Sequence, residues 1–401
     1  MSSPGLQAVV SGLGQSEVGR RLFRPAIDLT LDAALAAIED AGLTPADIDG
    51  LSAYPGAGHS RPGFGGPSLV AIHDALRLNL SWYGSGFEVP AQMSAIISAA
   101  MAVTTGLARH VLVYRTVTEG SARALAKGNA RAEPGQSAAV SAADALDLTG
   151  PAQWWRTYGV TGAPQWYAPY LRRYMHDFGL TREQLGQLAV SARIMAARNP
   201  KAIYKEPIGL DDYLSARMIS DPICLYDCDV HCDGSTAFVV SGADLVSDLP
   251  RPGVRIEAVG CGAGPRMYND QLLDFWFGAP AAKQMWSRTD LRPADVDVAE
   301  IYDGFTVITL SWLEALGLCG RGEAGSFIED GRSIALDGPL PLNTNGGQLA
   351  GGRLHGLGLF HEACVQLRGD GGERQVADAE VAVVANGGLP NMSCALLTRS
   401  K

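Results

Sequence analysis

The spacing of apolar residues near the start of the chain predicts a helix, a turn and a strand. Four apolar residues recur at helical spacing: Leu31, Ala34, Leu35 and Ile38. Gly42 ends the predicted helix, and residues 44–51 lead into an extended segment. Residues 280–302 repeat this order, and the string Pro-Ala-Asp-(Ile or Val)-Asp occurs at the same place in both copies. The pattern therefore indicates an internal duplication.

Later apolar segments follow the same plan. Residues 92–107 predict a helix rich in small residues, and 110–114 predict a buried strand after it. Residues 356–367 and 381–384 predict the corresponding helix and strand of the second copy. A further strand is expected at 233–240. β-Branched runs that follow apolar helices are typical of a sheet covered on both faces, so we expect a duplicated α/β fold.

The duplication divides the chain into an N-terminal half, residues 1–245, and a C-terminal half, residues 250–401. An insertion at 119–215 interrupts the first half. Its beginning, 119–148, is rich in Ala, Gly and Ser and predicts a mobile connector. Further along, Thr181 and Gln184 have the spacing of a capping box at a helix start.

Aromatic residues cluster within this insertion. They are Trp154, Trp155, Tyr158, Trp166, Tyr167, Tyr170 and Tyr174. The cluster is consistent either with a local core beneath the insertion or with the lining of a bulky apolar ligand. In the second case Trp154 and Trp155 are candidate substrate-binding residues.

Composition narrows the function classes. The 401 residues are 47% hydrophobic and 18% charged, which supplies a large core, and the net charge is −10. An acidic chain without basic blocks is a poor partner for nucleic acid or an anionic membrane. We expect no signal peptide, no membrane span and a cytoplasmic location, with the seven cysteines reduced.

Three segments resemble the motifs of one enzyme family. Residues 343–356 resemble the Asn-x-x-Gly-Gly…Gly-His-Pro-x-Gly stretch of thiolases, and 232–237 resemble their (Ser/Cys)-Asp-Gly-Ala-Ala-Ala strand. Residues 301–306 are similar to the His-Asp-Cys-Phe-Ser segment of the sterol-carrier-protein type of thiolase. The resemblance covers most of the chain. It implies the α/β thiolase fold, a duplicated five-layer αβαβα arrangement, here with an inserted loop region at 119–215.

The residues that perform thiolase chemistry are replaced. Val89 stands at the position of the nucleophilic cysteine, and Ala385 stands where the second, acid/base cysteine of the family would be. Arg353 falls at the histidine of the Gly-His-Pro motif. Because neither side chain at the two cysteine positions can carry an acyl group or a proton, acyl transfer through cysteine is not expected.

The absent cysteines, together with Tyr302 in a Tyr-Asp-x-Phe-Thr motif, resemble the retro-aldolases that shorten steroid side chains. That resemblance implies a 3-hydroxyacyl-CoA substrate, cleaved to a ketone or aldehyde plus a shorter acyl-CoA. It also implies a homodimer assembled with a partner carrying a DUF35-type OB domain. No cofactor is implied, since CoA is part of the substrate. The chain departs from this group at Arg353, where a second Tyr is expected.

Retro-aldol cleavage needs a base for the β-hydroxyl proton, stabilisation of an enolate and a proton for the α-carbon. We assign Tyr302 as the base, which requires a nearby cation or hydrogen bond to favour its phenolate. Arg353 and His355, from the Gly-rich loop, are the candidate neighbours, and His355 is also a candidate enolate stabiliser or proton donor.

Further residues of these motifs have candidate binding or structural roles. Gly387 and Gly388 are expected to offer backbone N–H groups to the thioester oxygen, and Asn345 is a candidate substrate-binding residue. Asp303 is expected to cap a helix over 304–316.

A metal site is not expected. Cys224, Cys228, His231 and Cys232 are close in sequence, but the alternation of side chains near a strand makes convergence on one ion awkward. Two alternatives to the lyase stay open. One is a thiolase-like acyltransferase that uses another nucleophile, and the other is a non-catalytic lipid-binding or scaffold protein.

Overall fold

The strands of a computed structural model form one nine-stranded mixed sheet and one two-stranded ribbon, within the described residues 6–55, 62–86, 92–132, 156–160, 162–263, 275–388 and 392–400. The strands are β1 Ala8–Gln15, β2 Gly50–Ala53, β3 Trp82–Ser85, β4 His110–Thr118, β5 Met218–Ser220, β6 Ile223–Cys224, β7 Asp233–Gly242, β8 Val254–Gly260, β9 Val298–Ile301, β10 Val381–Asn386 and β11 Ser393–Arg399. The large sheet has the order β3-β2-β4-β7-β1-β8-β11-β10-β9, and β5 pairs with β6.

Helices cover this sheet and form the insertion. They are α1 Ala26–Asp40, α2 Leu69–Leu76, α3 Ser94–Thr104, α4 Glu119–Ala132, α5 Ala163–Phe178, α6 Arg182–Ala197, α7 Leu210–Leu214, α8 Ala279–Trp286, α9 Thr306–Ala315, α10 Ala324–Phe327 and α11 Leu357–Arg368. The helices and strands predicted from the apolar patterns are all present, with small shifts at their ends. The duplicated α/β architecture is therefore confirmed.

The large sheet consists of two parts that meet at β1 and β8. Strand β1 pairs along its length with β7, but its pairing with β8 is limited to Val9 with Arg255 and Val10 with Val254. Each part contains a parallel pair, β2 with β4 in the first and β9 with β10 in the second. The predicted halves, 1–245 and 250–401, divide the chain between β7 and β8.

The repeated Pro-Ala-Asp-(Ile or Val)-Asp string has the same hydrogen-bonding role in both copies. Its last residue clamps the start of the neighbouring parallel strand. The carboxylate of Asp49 accepts from the backbone N–H groups of Arg109 and His110, both at 2.9 Å. That of Asp297 accepts from Glu380 and Val381, at 2.8 and 2.9 Å. In each copy the aspartate therefore accepts hydrogen bonds from two backbone N–H groups at the start of the strand that pairs in parallel with its own.

The sheet is covered on both faces in its first part. Alternate residues of β4 point to opposite sides, so that Val111 and Val113 join the cluster around α3, whereas Leu112 joins the cluster around α1 and α2. Helix α11 is buried on almost every side and reaches β7 through Phe360, whose ring centroid lies 5.3 Å from that of Phe238. An apolar helix of this kind belongs inside a core.

The insertion differs from the expected loop region. Residues Glu119–Ala132 form helix α4 instead of a mobile connector. The physical reason is that alanine is the strongest helix former, so an Ala-rich segment cannot be equated with a Gly/Ser linker. The remainder of that predicted connector, and with it Trp154 and Trp155, lies outside the described residues. The capping box at Thr181 and Gln184 is confirmed, with reciprocal hydrogen bonds of 3.0 and 3.2 Å.

The described residues of the aromatic cluster range from buried to exposed, with Trp166 half-buried. Tyr167, Tyr170 and Tyr174 of α5 are buried, while Tyr158 is 83% exposed. Within the described ranges, the helices are all too short or too polar to span a membrane.

Candidate active site

Tyr302 lies immediately after β9, at the carboxyl end of the β9–β10 parallel pair. Its backbone N–H donates to the carbonyl of Ala385 at 2.8 Å, and its side chain is buried. The ring folds back over Gly304. A Cβ at Gly304 would lie 2.5 Å from Cε1 of Tyr302 and 3.2 Å from its hydroxyl oxygen. The Tyr302 ring can therefore occupy this position only because residue 304 is a glycine.

The Gly-rich loop is fastened to the end of β9 beside Tyr302. The side chain of Asn343 accepts from the N–H of Ile301 at 2.7 Å and donates to its carbonyl at 2.9 Å. Asp303 accepts from the backbone N–H groups of Gln348 at 2.8 Å and Leu349 at 3.3 Å. The side-chain amide of Asn343 and the carboxylate of Asp303 therefore hold the Gly-rich loop against the end of β9.

The prediction that Asp303 caps the helix over 304–316 is wrong. Helix α9 begins at Thr306, and its first side chain, Thr306, donates instead to Asp227 at 2.7 Å. Asp303 serves the single π-helical turn Gly347–Gly351, whose N–H groups have no partners of their own at its start. Burial raises the pKa of Asp303 to about 7, opposed by these backbone hydrogen bonds.

His355 brings residues from both halves of the chain together. Its ring centroid lies 6.2 Å from that of Tyr302 in an edge-on arrangement. It also stacks on Tyr54, which follows β2, at 6.0 Å, and meets Phe64 edge-on at 4.6 Å. The backbone of His355 has a φ of 55°, a left-handed conformation that costs free energy in a non-glycine residue and is enriched at functional sites.

Arg353 is held by two carboxylates of the first half. It contacts Glu119, the first residue of α4, at 2.5 Å and Asp229 at 3.3 Å. All three side chains are largely buried. The two acids raise the pKa of Arg353 above its usual range in spite of burial, and burial raises the pKa of Asp229 to about 6 with Arg353 opposing. The ion pairs of Arg353 therefore connect the Gly-rich loop to helix α4 and to Asp229.

The electrostatics of Tyr302 differ from the expectation of a resting phenolate. Burial raises the pKa of Tyr302 well above its usual value, the charge of Asp229 raises it further, and Arg353 only partly offsets them. The expected cation is present, but its charge is shared with Asp229 and Glu119. The phenol is consequently protonated at neutral pH.

The end of β10 and the two glycines after it include the positions that matter in the resemblance. Ala385 is fully buried, so a methyl group occupies the position at which thiolases have their acid/base cysteine. Gly387 has a φ of 83°, and its carbonyl accepts from the indole N–H of Trp312 at 2.8 Å. A Cβ at Gly388 would lie 2.2 Å from the hydroxyl of Tyr167. The role of these glycines as N–H donors stays a prediction, and Val89 lies outside the described residues.

Asn345 is engaged within the loop. Its side-chain oxygen accepts from the N–H of Gly347 at 2.8 Å, and its amide donates to the carbonyl of Gly358 at 3.3 Å. It lines a small cavity together with Lys201 and Gln348. Its contact with substrate stays a prediction.

Sequence reasoning missed Tyr54, Glu119 and Asp229. A usable signal existed for the first two, because each follows one strand of the parallel pair β2–β4. The carboxyl ends of parallel strands lie at one edge of a sheet, where functional groups collect. Asp229 offered no such signal, since it lies in an irregular segment. Its position is fixed by its own backbone N–H, which donates to the carbonyl of Gly304 at 3.1 Å.

The cysteine cluster is packed rather than convergent. Cys224 and Cys232 are buried, and the thiol of Cys228 donates to the carbonyl of Cys224 at 3.5 Å. Burial raises the pKa of Cys224 to about 11. Among the residues with described positions, no group of three or more His, Cys, Asp or Glu side chains is arranged to hold a metal ion.

Comparisons with known proteins find relatives over nearly the whole chain. A family model described as "Thiolase C-terminal domain-like" matches residues 271–399. The chain is 35% identical to the steroid side-chain-cleaving aldolase of Thermomonospora curvata, with 96% of each chain covered. It is 34% identical to the 17-hydroxy-3-oxo-4-pregnene-20-carboxyl-CoA lyase of Mycobacterium tuberculosis, over 96% of this chain and 97% of that one.

Solved structures point the same way. A structure titled "Ltp2-ChsH2(DUF35) aldolase" matches with a TM-score of 0.83 at 34% identity, covering 99% of this chain and 98% of that one. Human mitochondrial 3-ketoacyl-CoA thiolase shares the fold, with a TM-score of 0.65 at 16% identity over 99% of each chain. The chain belongs to the thiolase superfamily and, within it, to the sterol-carrier-protein-type thiolase-like group close to steroid side-chain-cleaving aldolases. The predicted thiolase fold is confirmed.

Proposed function

We propose that this chain is a carbon–carbon lyase that cleaves a 3-hydroxyacyl-CoA by a retro-aldol reaction, giving a ketone or aldehyde and a shorter acyl-CoA. The observation that carries the proposal is the pairing of two features in one site. Ala385 stands where a thiolase has its acid/base cysteine. The rings of Tyr302 and His355 meet edge to face, with their centroids 6.2 Å apart. Relatives at 34–35% identity are named aldolase and CoA lyase.

The reaction has two proton transfers that these residues can serve. The β-hydroxyl loses its proton and becomes a carbonyl, the bond between the α- and β-carbons breaks, and its electron pair forms the enolate of the thioester. A proton then returns to the α-carbon. Because burial raises the pKa of Tyr302, its phenol suits the donor role rather than the resting base first assigned. His355 is then the acceptor of the β-hydroxyl proton, since a nitrogen of a neutral imidazole can accept a proton.

Arg353 has a positioning role in this proposal. Its ion pairs with Glu119 and Asp229 fix the loop that carries His355 against helix α4. A buried arginine between two carboxylates is poorly placed to meet substrate without breaking a pair. Gly387, Gly388 and Asn345 remain candidates for contact with the thioester and the CoA moiety.

A bulky apolar acyl group is supported by the surroundings. The ring of Tyr167 packs on that of Phe305 at 5.1 Å, and its hydroxyl lies against Gly388. The Mycobacterium tuberculosis relative is named for a steroid CoA ester. A steroid side-chain ester is therefore the substrate class of first choice, with Trp154 and Trp155 as further candidates for contact with it. CoA enters as part of the substrate, and no separate cofactor is invoked.

The assembly is proposed on two grounds. The structural neighbour with 34% identity contains a ChsH2(DUF35) component, which supports a partner with a DUF35-type OB domain. Strand β3 ends the sheet, and its Tyr83 is 69% exposed, which supports a homodimer that covers this edge. Seven free cysteines fit a reducing, cytoplasmic location. Mass measurement of the purified chain, with and without a candidate partner, tests both contacts.

Activity is tested with the purified chain, a candidate OB-domain partner and a 17-hydroxysteroid 20-carboxyl-CoA ester, with and without free CoA. The proposal expects a ketone and a shorter acyl-CoA in the absence of free CoA. A strict requirement for free CoA would indicate thiolysis instead. No turnover, together with saturable ester binding, would leave the lipid-binding or scaffold alternative.

A further inference from the structure

A second arginine, Arg115, packs against the same aromatic rings as His355. Two of its three guanidinium nitrogens have no hydrogen-bond partner among the described residues. It is fully buried on β4. Its Nη1 donates to the carbonyls of Phe64 at 2.5 Å, Thr116 at 3.1 Å and Tyr54 at 3.4 Å. Its Nε and Nη2 have no hydrogen-bond partner in the part of the chain that the structure describes. The side chain is therefore anchored at Nη1, whereas its buried edge formed by Nε and Nη2, called the open edge here, has no described hydrogen-bond partner.

Arg115 shares its two aromatic neighbours with His355. The guanidinium carbon lies 4.8 Å from the ring centroid of Phe64 and 5.5 Å from that of Tyr54. The His355 ring lies 4.6 and 6.0 Å from the same two rings. Arg115 and His355 thus pack against the same two rings, which places the guanidinium in the aromatic surroundings of the proton-transfer pair.

The guanidinium keeps its charge in this position. Burial lowers the pKa of Arg115 to about 10, with Tyr54 and Glu119 raising it and Arg353 lowering it. The group is therefore a cation at neutral pH. The influence of Glu119, Arg353 and Tyr302 on its titration also indicates that it belongs to the same electrostatic cluster as the site.

The other buried arginines of the described chain make the contrast clear. Arg353 holds Glu119 and Asp229, and Arg368 holds Asp40 together with the carbonyl of Ser11. Arg115 forms no ion pair with a described residue. Glu119 acts on Arg115 only through its field, and a buried cation without a direct ion-pair partner is unfavourable unless a negative group binds to it. An unsatisfied buried donor in a native protein calls for such an explanation.

We propose that the open edge of Arg115 binds the thioester oxygen of the acyl-CoA and stabilises the enolate formed there. This inference rests on the proposed lyase function and assigns the oxyanion site of that reaction. When the bond between the α- and β-carbons breaks, its electron pair forms the α-carbon–carbonyl-carbon double bond and the thioester oxygen becomes anionic beside Arg115. The oxygen becomes a carbonyl again when the α-carbon takes a proton from Tyr302, and the proton that His355 took from the β-hydroxyl balances the phenolate left on Tyr302.

The test uses acetoacetyl-CoA, whose enolate has its own near-ultraviolet absorption band and which is read without turnover. On the wild-type chain the enolate band is expected to appear at a lower pH than in buffer, because a cation at the oxygen favours the anion. Arg115→Lys keeps a charge but loses the open edge, and Arg115→Met removes the charge. Arg115→Met is expected to abolish the shift and Arg115→Lys to reduce it, and Arg115→Met should lower kcat for cleavage by about 10²-fold or more, with a smaller change in KM.

Arg368→Lys is the matched control, since it alters a buried arginine on α11 whose partner Asp40 lies on α1. It should leave the enolate band of the wild type unchanged, even where it lowers the melting temperature. A wild-type chain that binds acetoacetyl-CoA without lowering the pH of enolate formation overturns the inference, whatever the variants do. An undiminished shift in folded Arg115→Lys and Arg115→Met also overturns it.

The two proposals can fail separately. Cleavage of a hydroxyacyl-CoA by a wild-type chain that gives no enolate shift would retain the lyase and reject Arg115. An enolate shift that depends on Arg115, in a chain that cleaves no hydroxyacyl-CoA, would retain the oxyanion site and reject the lyase.

Discussion

The guanidinium of Arg353 lies 2.5 Å from the carboxylate of Glu119, although 234 positions separate the two residues in the chain. The contact joins the Gly-rich loop of the second half to the first turn of α4. Asp229 completes the arrangement at 3.3 Å on the other side of Arg353. The shape of the loop around His355 therefore depends on charges supplied by the first half.

Breaking this contact from either side is expected to destabilise the protein. Arg353→Met leaves two buried carboxylates without their cation, and Glu119→Gln removes one of them, so each should lower the free energy of unfolding by about 3–5 kcal/mol at most. The double variant should lose less than the sum of the two, since it removes both charges. Denaturant unfolding of all four proteins measures the coupling. Additive losses would mean that the pair contributes no coupling.

Removal of the Tyr302 hydroxyl should stop the reaction without unfolding the protein. Tyr302→Phe keeps the ring over Gly304 and deletes the proton donor, so kcat should fall about 10²- to 10⁴-fold. Substrate affinity and melting temperature should change little. Tyr226→Phe, which removes a hydroxyl outside the site, is the matched control. Full activity in Tyr302→Phe would dismiss Tyr302 as a proton-transfer residue.

Gly304→Ala tests the placement of the same ring by a different route. Its Cβ would lie 2.5 Å from the Tyr302 ring, so the ring must move. We expect kcat to fall by about 10-fold or more, because displacements near 1 Å are costly for catalysis. Gly209→Ala is the control, since its Cβ would meet only the flexible Asp212 side chain at 3.6 Å. Equal activity of the two variants would show that the ring position is not critical.

The pH dependence of stability should report Asp229. Burial raises its folded-state pKa to about 6 from an ordinary value of 3.8. Between these values the folded state binds more protons than the unfolded state, so the free energy of unfolding falls as pH rises from about 4 to about 6. The loss is full above the folded pKa and amounts to roughly 3 kcal/mol.

Asp229→Asn removes this titration and provides the comparison. The free energy of unfolding of the wild type minus that of Asp229→Asn should decrease by up to about 3 kcal/mol between about pH 4 and pH 7. The exposed Asp211→Asn variant should differ from the wild type by a constant amount across the same range. A constant difference for Asp229→Asn as well would refute the raised pKa.

The fold was largely readable because its signals are local. The apolar spacing in α1 and the Pro-Ala-Asp-(Ile or Val)-Asp strings lie within single segments, and the structure has the expected elements there. Helix α4 differs from the predicted connector because alanine, unlike glycine and serine, strongly favours helix. Local patterns identify elements well when each residue type is read for its own backbone preference.

The site was less readable because its partners come from distant parts of the chain. Asp303 looked like a helix cap from its position alone, but the N–H groups that it accepts from lie 45 and 46 positions away. Arg353 looked like a free cation until the carboxylates of Glu119 and Asp229 were seen beside it. Arg115 sits within an apolar strand, and only the fold shows that its Nε and Nη2 have no described hydrogen-bond partner.

The most direct test of the central claim is a product analysis in D₂O without added CoA. The chain and its candidate partner are incubated with a 17-hydroxysteroid 20-carboxyl-CoA ester, and both products are quantified by mass spectrometry, together with the intact mass of the protein. Retro-aldol cleavage should give a ketone and a shorter acyl-CoA in equal amounts, one deuterium on the α-carbon of the acyl-CoA, and no acylated protein. Products that form only with free CoA, or an acyl group on the protein, would contradict it.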